Sequence, residues 1–286
     1  MLQNEQAPPG TLYIAATPIG NLEDITLRCL RILGEVDLIA AEDTRHTRKL
    51  LTHFQIQTPL ISYYREKEAQ RSQQLVQRLL AGESIALVSD AGTPGISDPG
   101  AVLVAEARKA GVVVVPLPGA SALTTALSAA GLSHPSFLFL GFPPSKSSKR
   151  RSLLTSLCDA PWPIIFYESP RRIQTLLSDI LQIMGDRQAF WGRELTKAYE
   201  DLQAGTVSAL LELASGDKNR GEFVLVIEPG EIKEADGDNL LELLAWYRDN
   251  TSMSLKDVSR KLASDLGLSR SQVYQEALVV YQEEKD

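Results

Sequence analysis

Residues Ser89–Gly100 read SDAGTPGISDPG and follow directly on the apolar run Ser84-Ile85-Ala86-Leu87-Val88. A run of that length and composition reads as a buried parallel strand. The twelve residues after it hold three glycines, two prolines and two aspartates. Glycine admits φ > 0 and close backbone approach, and proline fixes φ while removing a donor. The stretch is therefore a loop shaped by its backbone, lying beyond the carboxyl end of a strand. In open α/β sheets ligands bind at that edge. The plainer alternative is an ordinary turn with a helix starting at Asp98-Pro99.

The pattern repeats outward from this loop. Thr11–Ala16, Asp37–Ala41, Leu60–Tyr64 and Val112–Val115 are further strand candidates, the last expected to be buried. Helical periodicity separates them, with Asn21 or Asp24 as a cap for the first helix and Glu68–Ala81 and Pro99–Ala110 as later ones. Five strands alternating with helices indicate a parallel sheet covered on both faces. Gly131–Pro135 marks the boundary of this N-terminal α/β domain, placed at 11–133 after a short leader, 1–10. A second α/β domain is expected over 136–230, with strands at 136–142, 163–168, 188–193 and 222–228. Residues 231–286 read as an acidic linker and a helical tail resembling a helix-turn-helix, with Gly267 in the turn and Ser269 as a cap.

Composition narrows the function classes. Of the net charge of −7, five units lie in residues 231–286, so a broad electrostatic hold on nucleic acid by the tail is disfavoured. No apolar run approaches the roughly 20 residues of a membrane span, and MLQNEQAPPG lacks the features of a signal peptide. A cytoplasmic protein is the expectation. Two cysteines, Cys29 and Cys158, and three scattered histidines offer neither a disulfide framework nor a metal cluster. No GxGxxG follows the first strand, and GxxxxGK[ST] and GxSxG are absent.

What remains is a set of loops at strand ends: Thr17–Leu22, Ser89–Gly100, Pro118–Ser121 and Tyr167–Arg172. Loops on one sheet edge converge on one crevice, suited to a small polar ligand held by backbone groups. Asp43, His46, Glu194 and Lys197 are polar groups able to face it. Each also has an ordinary reading: a helix cap for Asp43, a solvated face for His46, a surface ion pair for Glu194 with Lys197.

Four motifs, Thr17-Pro18-Ile19-Gly20-Asn21-Leu22, Ala41–Thr47, Ser89–Pro94 and Arg193-Glu194-Leu195-Thr196-Lys197, occur in this order. Together they resemble the ribosomal RNA small-subunit methyltransferase I family of the tetrapyrrole methylase superfamily, over about Gly10 to Gly230. The resemblance implies two α/β domains with S-adenosylmethionine in the cleft between them, a homodimer, and 2′-O-methylation of a cytidine ribose in the decoding region of 16S rRNA. It places the donor against Pro18, Asp90, Ala91, Gly92, Thr93, Ser121 and Ala122, with Tyr167 and Phe223 from the second domain. Asp43 or Glu194 is the candidate base, and Lys197 or Arg45 the group that steadies developing charge. Lys146, Lys149, Arg150 and Arg151 in one loop, and Arg171 and Arg172 at a helix start, are candidate RNA contacts. No metal and no membrane are implied.

One departure stands out. Family members often carry Ser-Tyr-His after the third strand, where this chain reads Ser62-Tyr63-Tyr64. A base at that position is therefore not available. A methylase of the same superfamily acting on a tetrapyrrole or a protein side chain would not require the basic loop, and a non-catalytic nucleic-acid-binding protein would depend on the tail.

Overall fold

A computed structural model describes residues 8–215, 221–230, 237–266 and 268–282. The chain divides into two compact units, Met1–Gly230 and Glu231–Asp286. The first strands are β1 (Thr11–Ala15), β2 (Leu38–Ala41), β3 (Leu60–Ser62), β4 (Ile85–Val88) and β5 (Val113–Leu117). They form one parallel sheet in the order β3-β2-β4-β1-β5. The connecting helices are α1 (Leu27–Glu35), α2 (Thr44–His53), α3 (Glu68–Leu80), α4 (Ala101–Lys109) and α5 (Ala122–Ala130).

Local chemistry sets these boundaries. Asn21 caps a short 3₁₀ turn, whereas Thr26 caps α1 itself, accepting from the Cys29 N–H. Asp43 caps α2, so that helix starts four residues earlier than its apolar residues suggest. Gly131, at φ 68°, ends α5 in the left-handed region that a side chain would disfavour. The sheet packs Leu12, Leu38, Leu75, Leu79 and Leu103 on one face and Leu33, Ile39, Leu51 and Val88 on the other. The expectation of a buried strand at Val112–Val115 is corrected: β5 is an edge strand, and Val113 is 60% exposed. An apolar run marks a strand but not how many neighbours cover it.

The second sheet runs β6-β7-β10-β8-β9. Its strands are β6 (Leu138–Phe139), β7 (Ile164–Glu168), β8 (Gln188–Arg193), β9 (Asp201–Thr206) and β10 (Phe223–Ile227). Only β6 and β7 pair in parallel; the other pairs are antiparallel. Helices α6 (Ser147–Ser156), α7 (Ile173–Met184) and α8 (Val207–Ala214) cover one face through Leu154, Leu176, Ile180 and Leu210. The other face meets α5, where Ala126 packs among Ile165, Phe190, Leu195 and Val226. Helix α5, which follows β5 of the first sheet, thus packs on the second sheet, where Ile19 of the loop after β1 joins it. The strand expected at 136–142 shrinks to two residues, and β9 has no apolar run to announce it.

A further correction concerns the basic segment. Lys149, Arg150 and Arg151 lie in the first turns of α6 rather than in a loop. Arg150 is 5% exposed, with Nε 2.8 Å from Asp179 Oδ2, so it is not available to RNA. Arg151 gives Nη1 to Asp179 and Gln182 at 2.7 and 2.9 Å. Lys146, Lys149 and Arg171 stay exposed.

In the second unit α9 (Gly237–Asn250), α10 (Leu255–Asp265) and α11 (Arg270–Gln282) enclose Leu240, Leu244, Val258, Leu262, Val273 and Ala277. Ser269 accepts from the Gln272 N–H as a cap; Gly267 lies outside the described residues. No described helix is long and apolar enough to cross a membrane. Among the described residues no cluster of three metal-ligating side chains occurs, and both cysteines are free.

Removing one partner of a buried pair strands the other charge. Asp179→Ala is expected to lower unfolding free energy by about 3–5 kcal/mol in urea titrations, and Lys149→Ala by less than about 0.5 kcal/mol.

Candidate active site

The strand order brings the carboxyl ends of β2, β4, β1 and β5 side by side. The loops after β1 and β4 are joined as a two-residue ladder. Thr17 N donates to Gly92 O and Gly92 N to Thr17 O, each at 2.9 Å. Thr17 Oγ1 adds a bond to Ser89 O at 3.1 Å. Gly92 has φ 75°, and a Cβ there would stand 3.4 Å from the Ile19 side chain and 3.7 Å from Ala120 O. Three loops meet at this glycine. Thr93 Oγ1 ties the third by donating to Ala120 O at 3.2 Å.

The loop after β2 supports the arrangement from the other side. Asp43 N donates to Asp90 Oδ1 at 3.0 Å, and Asp90 N to Glu42 Oε2 at 3.4 Å. From β7, Tyr167 Oη accepts the Leu123 N–H at 3.1 Å, filling an open donor at the start of α5. The far end of Ser89–Gly100 is held by residues after β3. Arg65 Nη2 donates to Ser97 O at 3.0 Å, and Glu68 Oε1 accepts from Gly100 N at 2.8 Å and from buried Tyr63 Oη at 3.1 Å. Asp98 lies within that loop instead of starting a helix, since α4 begins at Ala101.

The second sheet's contribution is a strained turn. Glu194 and Thr196 have φ of 49° and 65°, and such residues cost of order 1–3 kcal/mol each. Contacts from several sides hold them there. Glu194 N donates to Glu222 O at 3.0 Å, Lys197 Nζ to Glu194 Oε1 at 2.7 Å, and Thr196 N to Glu200 Oε2 at 2.6 Å. Thr196 Oγ1 accepts from Asn21 N of the first loop at 3.0 Å. Gly20 permits the approach, because a Cβ there would stand 2.4 Å from Lys197 Cγ and 2.8 Å from Leu195 O.

These elements enclose a cavity of about 290 Å³. Asp90, Ala91, Gly92, Thr93, Ser121, Ala122, Tyr167 and Phe223 line it, as do Glu194 and Lys197. Pro18 lines an adjoining cavity instead. Asp43 and Arg45 line neither: the Asp43 carboxylate is spent on the Arg45 side chain and N–H. Those bonds hold it well below the usual carboxylate range, which makes it a poor base. Tyr64 also lines neither cavity.

Glu42 and Asp98 also line it and were not expected. Burial raises the pKa of each; the charge of Asp98 adds to that of Glu42, and the charge of Asp90 to that of Asp98. The sequence signal for both was slight: Glu42 directly follows a strand, and Asp98 lies in the loop after β4. For Glu194 burial works upward, but Lys197 and the Glu222 N–H outweigh it and leave the carboxylate below its ordinary value. Glu194 is thus ionised at neutral pH. Gly20→Ala is expected to cut turnover at least tenfold through the displaced turn while the fold persists, since overpacking costs about 1–3 kcal/mol. Unchanged turnover with an unchanged melting temperature would show that this close approach is not needed.

A profile of the tetrapyrrole (corrin/porphyrin) methylases matches residues 11–211. A ribosomal RNA small subunit methyltransferase I of Synechocystis sp. is 45% identical, covering 94% of this chain and 98% of that protein. One from Vibrio cholerae is 51% identical over 79% of this chain and 81% of its own. Among solved structures, uroporphyrin-III C-methyltransferase from Thermus thermophilus, complexed with S-adenyl homocysteine, superposes with a TM-score of 0.54 at 16% identity, covering 76% of this chain and 97% of that one. That likeness concerns the fold alone. With the strand order, the joined loops and these matches in place, the chain belongs to the ribosomal RNA small subunit methyltransferase I family of the tetrapyrrole methylases.

Proposed function

We propose that this chain transfers a methyl group from S-adenosylmethionine to the 2′-hydroxyl of a cytidine ribose in the decoding region of 16S rRNA. The substrate is the RNA or the small ribosomal subunit, and the enzyme works in the cytoplasm as a homodimer. The names of its relatives support rRNA as substrate.

One observation carries the donor assignment. The cavity at the joined loops presents Glu42, Asp90, Asp98, Glu194 and Glu222, and Lys197 is the one basic side chain among the described residues that line it. A wall so rich in carboxylates favours a ligand bearing positive charge, as a sulfonium with an ammonium group does. Aromatic Phe142, Tyr167 and Phe223 supply apolar surface beside it. The donor brings both the methyl group and its leaving group.

The chain's task is then alignment and exclusion of water. Holding a hydroxyl in line with the methyl carbon is chiefly a proximity effect. Glu194, ionised and fixed by Lys197 and the Glu222 N–H, orients that hydroxyl by accepting its hydrogen bond and receives its proton as the O–C bond forms and the S–C bond breaks, while Lys197 steadies the developing oxygen charge. Asp43 instead positions Asp90 through its own N–H. Exposed Lys146, Lys149 and Arg171 offer phosphate contacts, with Arg151 and Arg172 partly engaged in ion pairs.

The test is transfer of labelled methyl groups to small subunits lacking the modification, followed by mass mapping. Label on a cytidine ribose is expected; label on a base or on protein would overturn the reading. Glu194→Gln should lower kcat by about 10²-fold through lost alignment, with donor Kd rising far less, and near-normal turnover would remove Glu194 from the mechanism. Donor affinity should also depend on pH. Glu42 and Asp98 have raised pKa values, and a cation binds their ionised forms. Kd should therefore rise as pH falls through the mildly acidic range, with proton release on binding. Calorimetry in buffers of different ionisation enthalpy measures both.

A further inference from the structure

We infer that the second cavity, of about 510 Å³, is the acceptor subsite, taking the target nucleotide of a single-stranded RNA segment with a flanking phosphate on His46 and Lys49. The inference rests on the functional reading above and adds where the RNA enters.

Its first support is position. The two cavities share Ile19, Asp90, Ala91, Lys197 and Glu222 as lining residues. A displacement in line needs the nucleophile and the methyl carbon within about 3–3.5 Å. Only a subsite that abuts the donor cavity meets that requirement, and this one does so at the wall carrying Lys197. Its volume lies within the ~300–1,000 Å³ of small-molecule sites.

Chemistry is the second support. Where the first cavity is lined by carboxylates, this one adds His46 and Lys49 from α2. The two are three residues apart on one helix and so share a face. Both are exposed, and among the described residues Lys49 pairs with no carboxylate. Uncommitted N–H donors beside a cleft suit a phosphate, whose contacts position a nucleic acid without reading its sequence. Pro18, Leu22 and Leu50 give the same cavity an apolar side on which a sugar or base can rest. Lys197 then faces both ligands, which places a cation beside the oxygen that loses its proton.

The experiment uses the full chain, S-adenosylmethionine and unmodified small subunits, comparing Lys49→Gln, His46→Gln and Arg48→Gln. Arg48 lies on the same helix but does not line the cavity. Lys49→Gln and His46→Gln are expected to raise KM for the subunit about tenfold, with kcat within about twofold and donor Kd unchanged. Lys49→Gln should also flatten the salt dependence of RNA binding by roughly 0.7 in log–log slope, and Arg48→Gln should leave KM near its original value. Unchanged KM in both cavity variants overturns the subsite, as does an equal loss in Arg48→Gln, which would reduce the effect to the helix's charge. A fall in donor affinity would assign the cavity to the donor instead. Absence of ribose methylation by the unaltered chain would overturn the functional reading and the subsite with it.

Discussion

Two hydrogen bonds between Thr17 and Gly92 are the constraint on which the site depends. They are not part of the sheet, since β1 ends at Ala15 and β4 at Val88. They extend strand-like pairing, in the antiparallel sense, past the end of a parallel sheet. The loops that would otherwise diverge after β1 and β4 are thereby held in contact. Each bond contributes only about 0.5–1.5 kcal/mol net, but their effect is geometric. With Gly92 fixed at φ 75°, Ala91 and Thr93 are presented to the cavity and Ile19 is seated against the glycine. A side chain at position 92 would be strained by its backbone and would press on Ile19.

A second constraint joins the two sheets. Helix α5 packs Ala126 into the face of the second sheet, and Tyr167 of that sheet closes the N-terminus of α5. Between them they set the distance across the cleft. The Glu194–Lys197 turn then reaches over to Asn21 and Gly20. Its strained dihedrals are tolerated because Glu200, Glu222 and Asn21 over-determine them. Strain of this kind, held from several sides, keeps Lys197 at the boundary of two cavities.

The parallel sheet was legible because its strands are short apolar runs separated by helical periodicity, and the loops because glycine and proline mark them. What composition could not show was coverage. Val113 reads like Ile85, yet one lies on an edge and the other in the middle of the sheet. Strand β9 escaped notice because Asp201, Gln203 and Thr206 carry edge polarity in place of an apolar run. Arg150 misled for a related reason: a cluster of cations looks solvent-facing until Asp179, 29 residues on, is found beneath it. Carboxylates near strand ends were equally ambiguous, and the structure divides them. Asp43 turns inward to its own helix, while Glu42, its neighbour, faces the cavity.

That division bears on how the chemistry is organised. Among the described residues lining the two cavities there is no buried histidine, and the best-placed carboxylate is held below its ordinary pKa by a lysine 2.7 Å away. On the proposed reading a group so stabilised is a weak base, and proton removal supplies little of the acceleration. The burden falls on alignment, and the structure invests in alignment accordingly. The glycine at position 20, the joined loops and the strained turn each fix an angle or a distance at the shared wall. Asp43 belongs to the same scheme, since its N–H locks the Asp90 carboxylate that faces both cavities. Tyr64 takes no part in this scheme, because it lines neither cavity.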